Sequence, residues 1–343
     1  MKVDKANLLI RSYLQRAEIY SLIGENKKAI TDCKNGYQIA ASNHNEKARA
    51  DLLYMMSQVF YEMSRFKESI ELLKKAIKLF KRIGDKKGYA ICLNSIGAVY
   101  NKCSNSSEAW RTHKRALKIF KEIGDRSGMA KSLNSIGGYY FFRGNYTMAL
   151  KYFKKSLRIR EKMGDRQNMA FSLTNIGAVY NSWGKYRKAQ HFLRKAIEMH
   201  QMIGNRLGVA VALNNLCVSY TSLTEYRLAI QNYQRLIKIQ KEIDDIFGQA
   251  LALSNIGVVY TNLGEYDRAL KYHNQAMMIR KRIGDRYGLG EDLVSVGRIY
   301  LEKNDLARAK KFLKQAKKIA TSIKHKGLLL QAILPLGEAF FQE

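Results

Sequence analysis

The chain has 343 residues, 46% of them hydrophobic, one proline (Pro335), and a formal net charge of +31 from 60 Lys and Arg against 29 Asp and Glu. The single proline and the many Leu, Ala, Lys, Arg, Gln and Met residues predict helix throughout, and the absence of any run of 18 apolar residues excludes a membrane-spanning helix. Cys33, Cys92, Cys103 and Cys217 show no pairing pattern, and Met1-Lys2-Val3-Asp4-Lys5 leads into no long apolar run, so the expected setting is reducing and cytoplasmic.

Residues 1–46 are the least regular segment, with Ile23-Gly24-Glu25-Asn26 inside it and no Gly-Asp at 41–46, as expected of an atypical capping repeat. Regular 40-residue repeats follow over 47–322. Their turn Ile83-Gly84-Asp85 returns as Ile123-Gly124-Asp125, Met163-Gly164-Asp165, Ile203-Gly204-Asn205, Ile243-Asp244-Asp245 and Ile283-Gly284-Asp285. A fixed period of this length is the signature of a solenoid, in which each repeat buries its apolar face against its neighbours.

Within a repeat, an aromatic column runs Tyr100, Tyr140, Tyr180, Tyr220, Tyr260, Tyr300. Three residues before each stands a small residue, Gly97, Gly137, Gly177, Cys217, Gly257 or Gly297, and seven before stands Leu93, Leu133, Leu173, Leu213, Leu253 or Leu293. These spacings share one helical face and define a helix A. Gly in a helix costs about 1 kcal/mol relative to Ala, so its recurrence predicts close approach of a neighbouring helix. A helix B follows, marked by Ala109, Ala149, Ala189, Ala229 and Ala269. The Gly of each inter-repeat turn suits the left-handed position past a helix end, and its Asp suits the cap of the next helix. The degenerate Ile323-Lys324-His325 opens a terminal helix over 323–343, rich in Leu, Ile and Phe. Either a single-helix cap or a cut through a longer array is expected there, in preference to a dimer interface.

Leu-x-x-Ile-Gly-x-x-Tyr, then Gly-x-Tyr-x-x-Ala, then Ala seven residues on, resembles the tetratricopeptide repeat. The 40-residue length, the Gly-Asp-Arg junction, Asn-x-Ile-Gly, and His113 and His273 in helix B are similar to the long repeats of the G-protein-signalling-modulator (LGN-like) class. The resemblance implies an all-α, right-handed superhelical solenoid of antiparallel helix hairpins, eight hairpins plus a final helix, as one array over 1–343. It places helix A in a concave groove and helix B on a convex back. The implied groove columns are Asn94, Asn134, Thr174, Asn214, Ser254 and Ser95, Ser135, Asn175, Asn215, Asn255, then Ala98, Gly138, Ala178, Val218, Val258, and beyond them Phe141 and Asn181. Amides and hydroxyls there suit the main chain of an extended peptide, and Phe141, Phe142 and Phe171 are expected to add an apolar pocket. The Lys-Asn-Lys clamp for terminal carboxylates is not matched, because Asn holds its leading column.

No phosphate-binding glycine loop, Cys-x-x-Cys pair or His-Glu-x-x-His run is present. His44, His113, His191, His200, His273 and His325 do not converge in sequence, and Glu291 with Asp292 is accounted for by dipole compensation near a helix start. The expectation is a non-enzyme without cofactor or metal that binds a protein or peptide, including acidic ones. The positive charge falls mainly on helix B, in Lys74, Lys75, Lys114, Arg115, Lys154, Lys155, Arg194 and Lys195, and at 303–326, where nine Lys or Arg stand against Asp305. That charge keeps nucleic acid as an alternative partner. A peptide-sensing regulatory domain of a larger protein, similar to bacterial quorum-responsive repeat proteins, is the second alternative.

Overall fold

The computed structural model describes residues 2–103 and 105–341, with side chains from Lys5 onward. Among the described residues there are 17 α-helices and no strand. They are α1 (Lys2–Leu22), α2 (Asn26–Ser42), α3 (Glu46–Glu62), α4 (Phe66–Arg82), α5 (Lys86–Lys102), α6 (Ser106–Glu122), α7 (Arg126–Phe142), α8 (Tyr146–Met163), α9 (Arg166–Ser182), α10 (Tyr186–Met202), α11 (Arg206–Ser222), α12 (Tyr226–Glu242), α13 (Ile246–Asn262), α14 (Tyr266–Ile283), α15 (Arg286–Glu302), α16 (Leu306–Ser322) and α17 (Lys326–Phe341). Odd-numbered helices are the A helices and even-numbered ones the B helices, giving the expected eight hairpins and a final helix. Helix contacts divide the chain into two compact units, Met1–Asp165 and Arg166–Glu343.

The turns that separate the hairpins follow the chemistry of the repeat. Gly84 (φ 72°) and Gly124 (φ 70°) take the left-handed conformation that ends a B helix. The next residue caps the following A helix: Asp85 Oδ1 accepts from the Gly88 N–H at 2.8 Å, and Asp125 Oδ1 from the Gly128 N–H at 3.0 Å. Asn205, Asp245 and Asp285 do the same in the second unit. Each such cap is worth about 1 kcal/mol.

Inside a hairpin, the small column of helix A is a socket. A methyl group at Gly97 would lie 2.5 Å from the His113 ring, one at Gly177 2.5 Å from Leu193, and one at Gly297 2.6 Å from Leu313. The cost of Gly in a helix is offset by burying a large B-helix side chain against bare backbone, roughly 1.5–3 kcal/mol for an aliphatic residue. Leu73, Leu193, Tyr233 and Leu313 are fully buried in this column. Between hairpins a second socket operates: Gly88 and Gly128 receive the rings of Phe80 and Phe120 from the preceding B helix. The aromatic column stacks on helix B, with ring centroids 5.5 Å apart for Tyr140–Tyr152 and for Tyr180–Phe192. In α17, Leu328, Ala332, Pro335, Leu336 and Ala339 are buried, while Leu330, Leu334, Phe340 and Phe341 are exposed.

Candidate functional site

In the first unit, α3, α5 and α7 line a cavity of about 540 Å³. It brings together five residues expected in the groove, Asn94, Ser95, Ala98, Asn134 and Ser135. The same cavity also contains Lys87, Lys131 and Arg160 against one acid, Asp125. Cations thus join the amides and hydroxyls that the resemblance places on this face. Lys87 is the second residue of α5 and Lys131 the sixth of α7, on the same faces as the amide columns, and Arg160 reaches the cavity from the last turn of α8. Asp125 is committed locally, capping α7 and lying 3.5 Å from Lys87 Nζ. Lys131 is exposed and has no ion-pair partner among the described residues. Arg160 is 5% exposed; burial pushes its guanidinium below the usual range, and the Asp165 carboxylate opposes that shift.

Not every amide on this face is available to a ligand. Asn94 Oδ1 accepts from His113 Nδ1–H at 2.8 Å and from Ser132 Oγ at 3.2 Å, and Asn101 Nδ2 stands 3.5 Å from His113 Nε2. His113, 1% exposed, is thus held in its neutral form with one nitrogen donating and the other accepting, and burial pushes its pKa down to about 4.

In the second unit, the A helices α9, α11 and α13 repeat one pattern. Phe171 (42% exposed), Val211 (48%) and half-buried Leu251 form one row, and Ala178, Val218 and Val258 form another. Half-buried Asn175, Asn215 and Asn255 lie between the rows. The spacing of four and then three residues puts all three rows on one face of each helix. Asn181 joins helices here: its Nδ2 donates to the Asn215 carbonyl at 2.7 Å, and its Oδ1 accepts from Ser219 Oγ at 2.6 Å. Asn214 Oδ1 is buried without a partner among the described residues. Phe171 packs edge-on against buried His200, ring centroids 4.9 Å apart, whereas Phe141 lies in the first unit beside Phe142 and Tyr146.

The register of both faces is that of a known repeat. The tetratricopeptide repeat profile matches residues 8–82, 49–122, 89–162, 128–202, 168–242 and 248–322. The chain belongs to the tetratricopeptide repeat family. No curated protein matches its sequence. Among solved structures, it is similar to a signal transduction ATPase with numerous domains that carries a tetratricopeptide repeat sensor, from Pyrococcus horikoshii (TM-score 0.69, 19% identity, 95% of this chain and 50% of that one). This chain therefore spans half the length of that protein. It is also similar to the apo quorum sensor NprR from B. thuringiensis (TM-score 0.67, 16% identity, 89% and 86%). A third likeness is to a Rap protein complexed with Competence and Sporulation Factor (TM-score 0.59, 16% identity, 97% and 98%).

Lys74, Lys75, Lys114, Arg115, Lys154, Lys155, Arg194 and Lys195 are all exposed on B helices. One cluster was not anticipated. Asp292, accounted for from sequence by dipole compensation, is 2% exposed in the interior of α15. Its Oδ1 accepts from His273 Nδ1–H at 2.9 Å, and its Oδ2 lies 3.2 Å from Arg280 Nε. Arg280 also donates to Ser254 Oγ at 3.1 Å, with Asp285 at 3.6 Å and Glu291 at 4.0 Å. The signal was present in the alignment of repeats: the small Ser132 and Ser172 become Asp292 where two buried columns hold His273 and Arg280. The buried Asp292 and Arg280 compensate each other's charge. Among the described residues no group of His, Cys, Asp or Glu is arranged to hold a metal, and no helix is long and apolar enough to cross a membrane.

Proposed function

We propose that this protein is a non-catalytic interaction scaffold whose A-helix faces seat an extended or helical peptide segment. The observation that carries this reading is the ladder on α9, α11 and α13: exposed Phe171, Val211, Val218 and Val258 with Asn175, Asn215 and Asn255 between them. An apolar surface that water does not favour, interleaved at one-turn intervals with amide donors and acceptors, suits a chain offering side chains to the rows and main chain to the amides. A rigid stack of hairpins holds those groups in place before binding, which reduces the ordering cost. Of the fold neighbours, one is named as a quorum sensor and one is in complex with a factor. They support the finer reading of a peptide-sensing regulatory region. The Gly-Asp-Arg junctions support, within the same proposal, a repeat of the LGN-like type.

The test is selection of 12-residue peptides from a random display library, with fluorescence anisotropy on the wild type and on Val211→Asp/Val258→Asp. Enriched peptides should lose at least about tenfold in affinity, some 1.4 kcal/mol, with helical content unchanged by circular dichroism. No enrichment, or equal affinity for the variant, defeats the reading. The exposed basic B-helix column favours a second reading, binding of nucleic acid. It requires a gel shift with duplex DNA whose affinity falls with salt at a log-log slope near −0.9 per phosphate neutralised.

A further inference from the structure

We infer that α17 and the adjoining edge of α16 seat an acidic amphipathic helix of a partner protein, docked as an additional B helix. This surface is separate from the ladder on α9, α11 and α13. A methyl group at Gly97, Gly137, Gly177, Gly257 or Gly297 would collide with a side chain from the B helix of its own hairpin, whereas one at Gly337 meets nothing within 4 Å. The socket of α17 is thus built and, among the described residues, unfilled. The positions around it are bare in the same register. Leu293 and Val294 of α15 are 4% and 6% exposed, and their counterparts Ile333 and Leu334 of α17 are 41% and 57% exposed. Tyr300 stacks on Phe312 of α16, whereas Phe340, its counterpart, has no aromatic partner among the described residues. With Leu330, these residues recur in steps of three and four around Gly337, which makes one apolar stripe of the kind a packed helix covers.

The flank of the stripe selects the helix. At the matching joint of the first unit, Leu117 of α6 clusters with Leu133 and Ile136 of α7, and Tyr152 of α8 packs against them and stacks on Tyr140. On α16 the position of Leu117 is held by Lys317. There Lys314, Lys317 and Lys318 line a cavity of about 580 Å³ with Leu336 and Phe340, and no carboxylate lines it. None of these three lysines has an ion-pair partner among the described residues. A helix laid over the cavity takes ammonium groups out of water, a cost that carboxylates on that helix offset. A second copy of this chain would bring the same three lysines, and like charges repel. The occupant is a helix with a bulky side chain for Gly337, an aromatic ring for Phe340 and Asp or Glu along the edge that faces α16.

The experiment uses the full chain at physiological salt and two fluorescein-labelled peptides of about 18 residues, five helical turns. Both carry Ala, Phe, Leu and Ala at the spacing of Ala309, Phe312, Leu313 and Ala316. The other positions hold Ala and Glu in one peptide, Ala and Gln in the second. By anisotropy the Glu peptide should bind about tenfold more tightly than the Gln peptide. Gly337→Leu fills the socket without a clash in the free protein and should weaken the Glu peptide by at least about tenfold. Lys314→Gln/Lys317→Gln/Lys318→Gln should remove the preference for Glu. The control Lys74→Gln/Lys75→Gln/Lys114→Gln removes the same charge from other B helices and should change it by less than about twofold. Circular dichroism and urea midpoints confirm that each variant folds. The inference is overturned if neither peptide binds, if Gly337→Leu binds as well as wild type, if the α16 variant keeps the preference, or if the control loses it equally. It is also overturned if sedimentation shows the free chain to be a dimer that Leu334→Asp dissociates, because a second copy would then cover α17. Loss of the Glu peptide in Val211→Asp/Val258→Asp would place it on the ladder, overturning the α17 seat and leaving the peptide-seat reading intact.

Discussion

The A-helix faces of the two units share one register and offer different chemistry. The position held by Lys131 on α7 holds Phe171, Val211 and Leu251 on the next three A helices and Glu291 on α15. The interiors differ as well. Phe120 fills an inter-hairpin socket in the first unit, and Arg280, tied to Asp292, fills one in the second. The columns that build the stack hardly vary, whereas the columns that meet solvent or bridge hairpins are free to change. Fold and surface chemistry are thus written in separate positions of the same 40 residues.

The sharpest way to break the comparison is at matched buried positions. Asp292→Ala strands Arg280 and His273 in the interior and is expected to destabilise the chain by about 3–5 kcal/mol. Ser132→Ala, its counterpart in the first unit, removes only neutral hydrogen bonds to Gly128 and Asn94 and should cost about 1 kcal/mol. Urea unfolding of both variants checks the difference; equal losses would mean that the buried ions contribute no more than a hydroxyl. Arg280→Met combined with Asp292→Leu should recover much of the loss, because it removes both charges.

A smaller effect concerns His113. Its pKa in the fold is about 4 against an ordinary 6.5, so the unfolded chain binds a proton that the folded chain does not. Its contribution is fully present above pH 6.5 and is lost as pH falls toward 4, by on the order of 3 kcal/mol in total. His113→Leu places in this socket the residue that Leu73, Leu193 and Leu313 already provide. It should flatten that part of the pH profile of the urea midpoint, and an unchanged slope would show that His113 is not its source.

The smallest effect should be common to both units. Asp125→Ala and Asp245→Ala each remove a cap from an A helix and should each lower stability by about 1 kcal/mol. Unequal losses in thermal melts would show that the two units do not share a common scaffold energy.

Much of the fold is legible in the sequence because it depends on contacts with a fixed spacing. The small residue of an A helix and the side chain it receives, as in Gly97 with His113 or Gly177 with Leu193, lie sixteen residues apart, and the Asp caps act over three residues. The site is only partly legible. Asn94, Ser95, Asn134 and Ser135 meet in one cavity because they share a face, which periodicity reveals. That Asn94 is tied to His113 and that Arg160 arrives from a B helix depends on side-chain reach between helices, which the columns do not encode. Asp292 was misjudged for a related reason: distance from a helix start was counted, but not the burial of the face it occupies.

The paired sockets have a consequence for how such a chain grows. The receiving glycine and the filling side chain of the first socket, as in Gly177 and Leu193, belong to the same hairpin, so copying a hairpin copies a finished lock with its key. The second socket lies at the joint between copies, and its glycine admits Phe80 or Phe120 at Gly88 and Gly128, and His200 or Arg280 at Gly208 and Gly288. A duplicated unit therefore arrives with its own core complete and a joint tolerant of whatever precedes it, and the array can lengthen in steps of 40 residues while each new face drifts toward a different ligand.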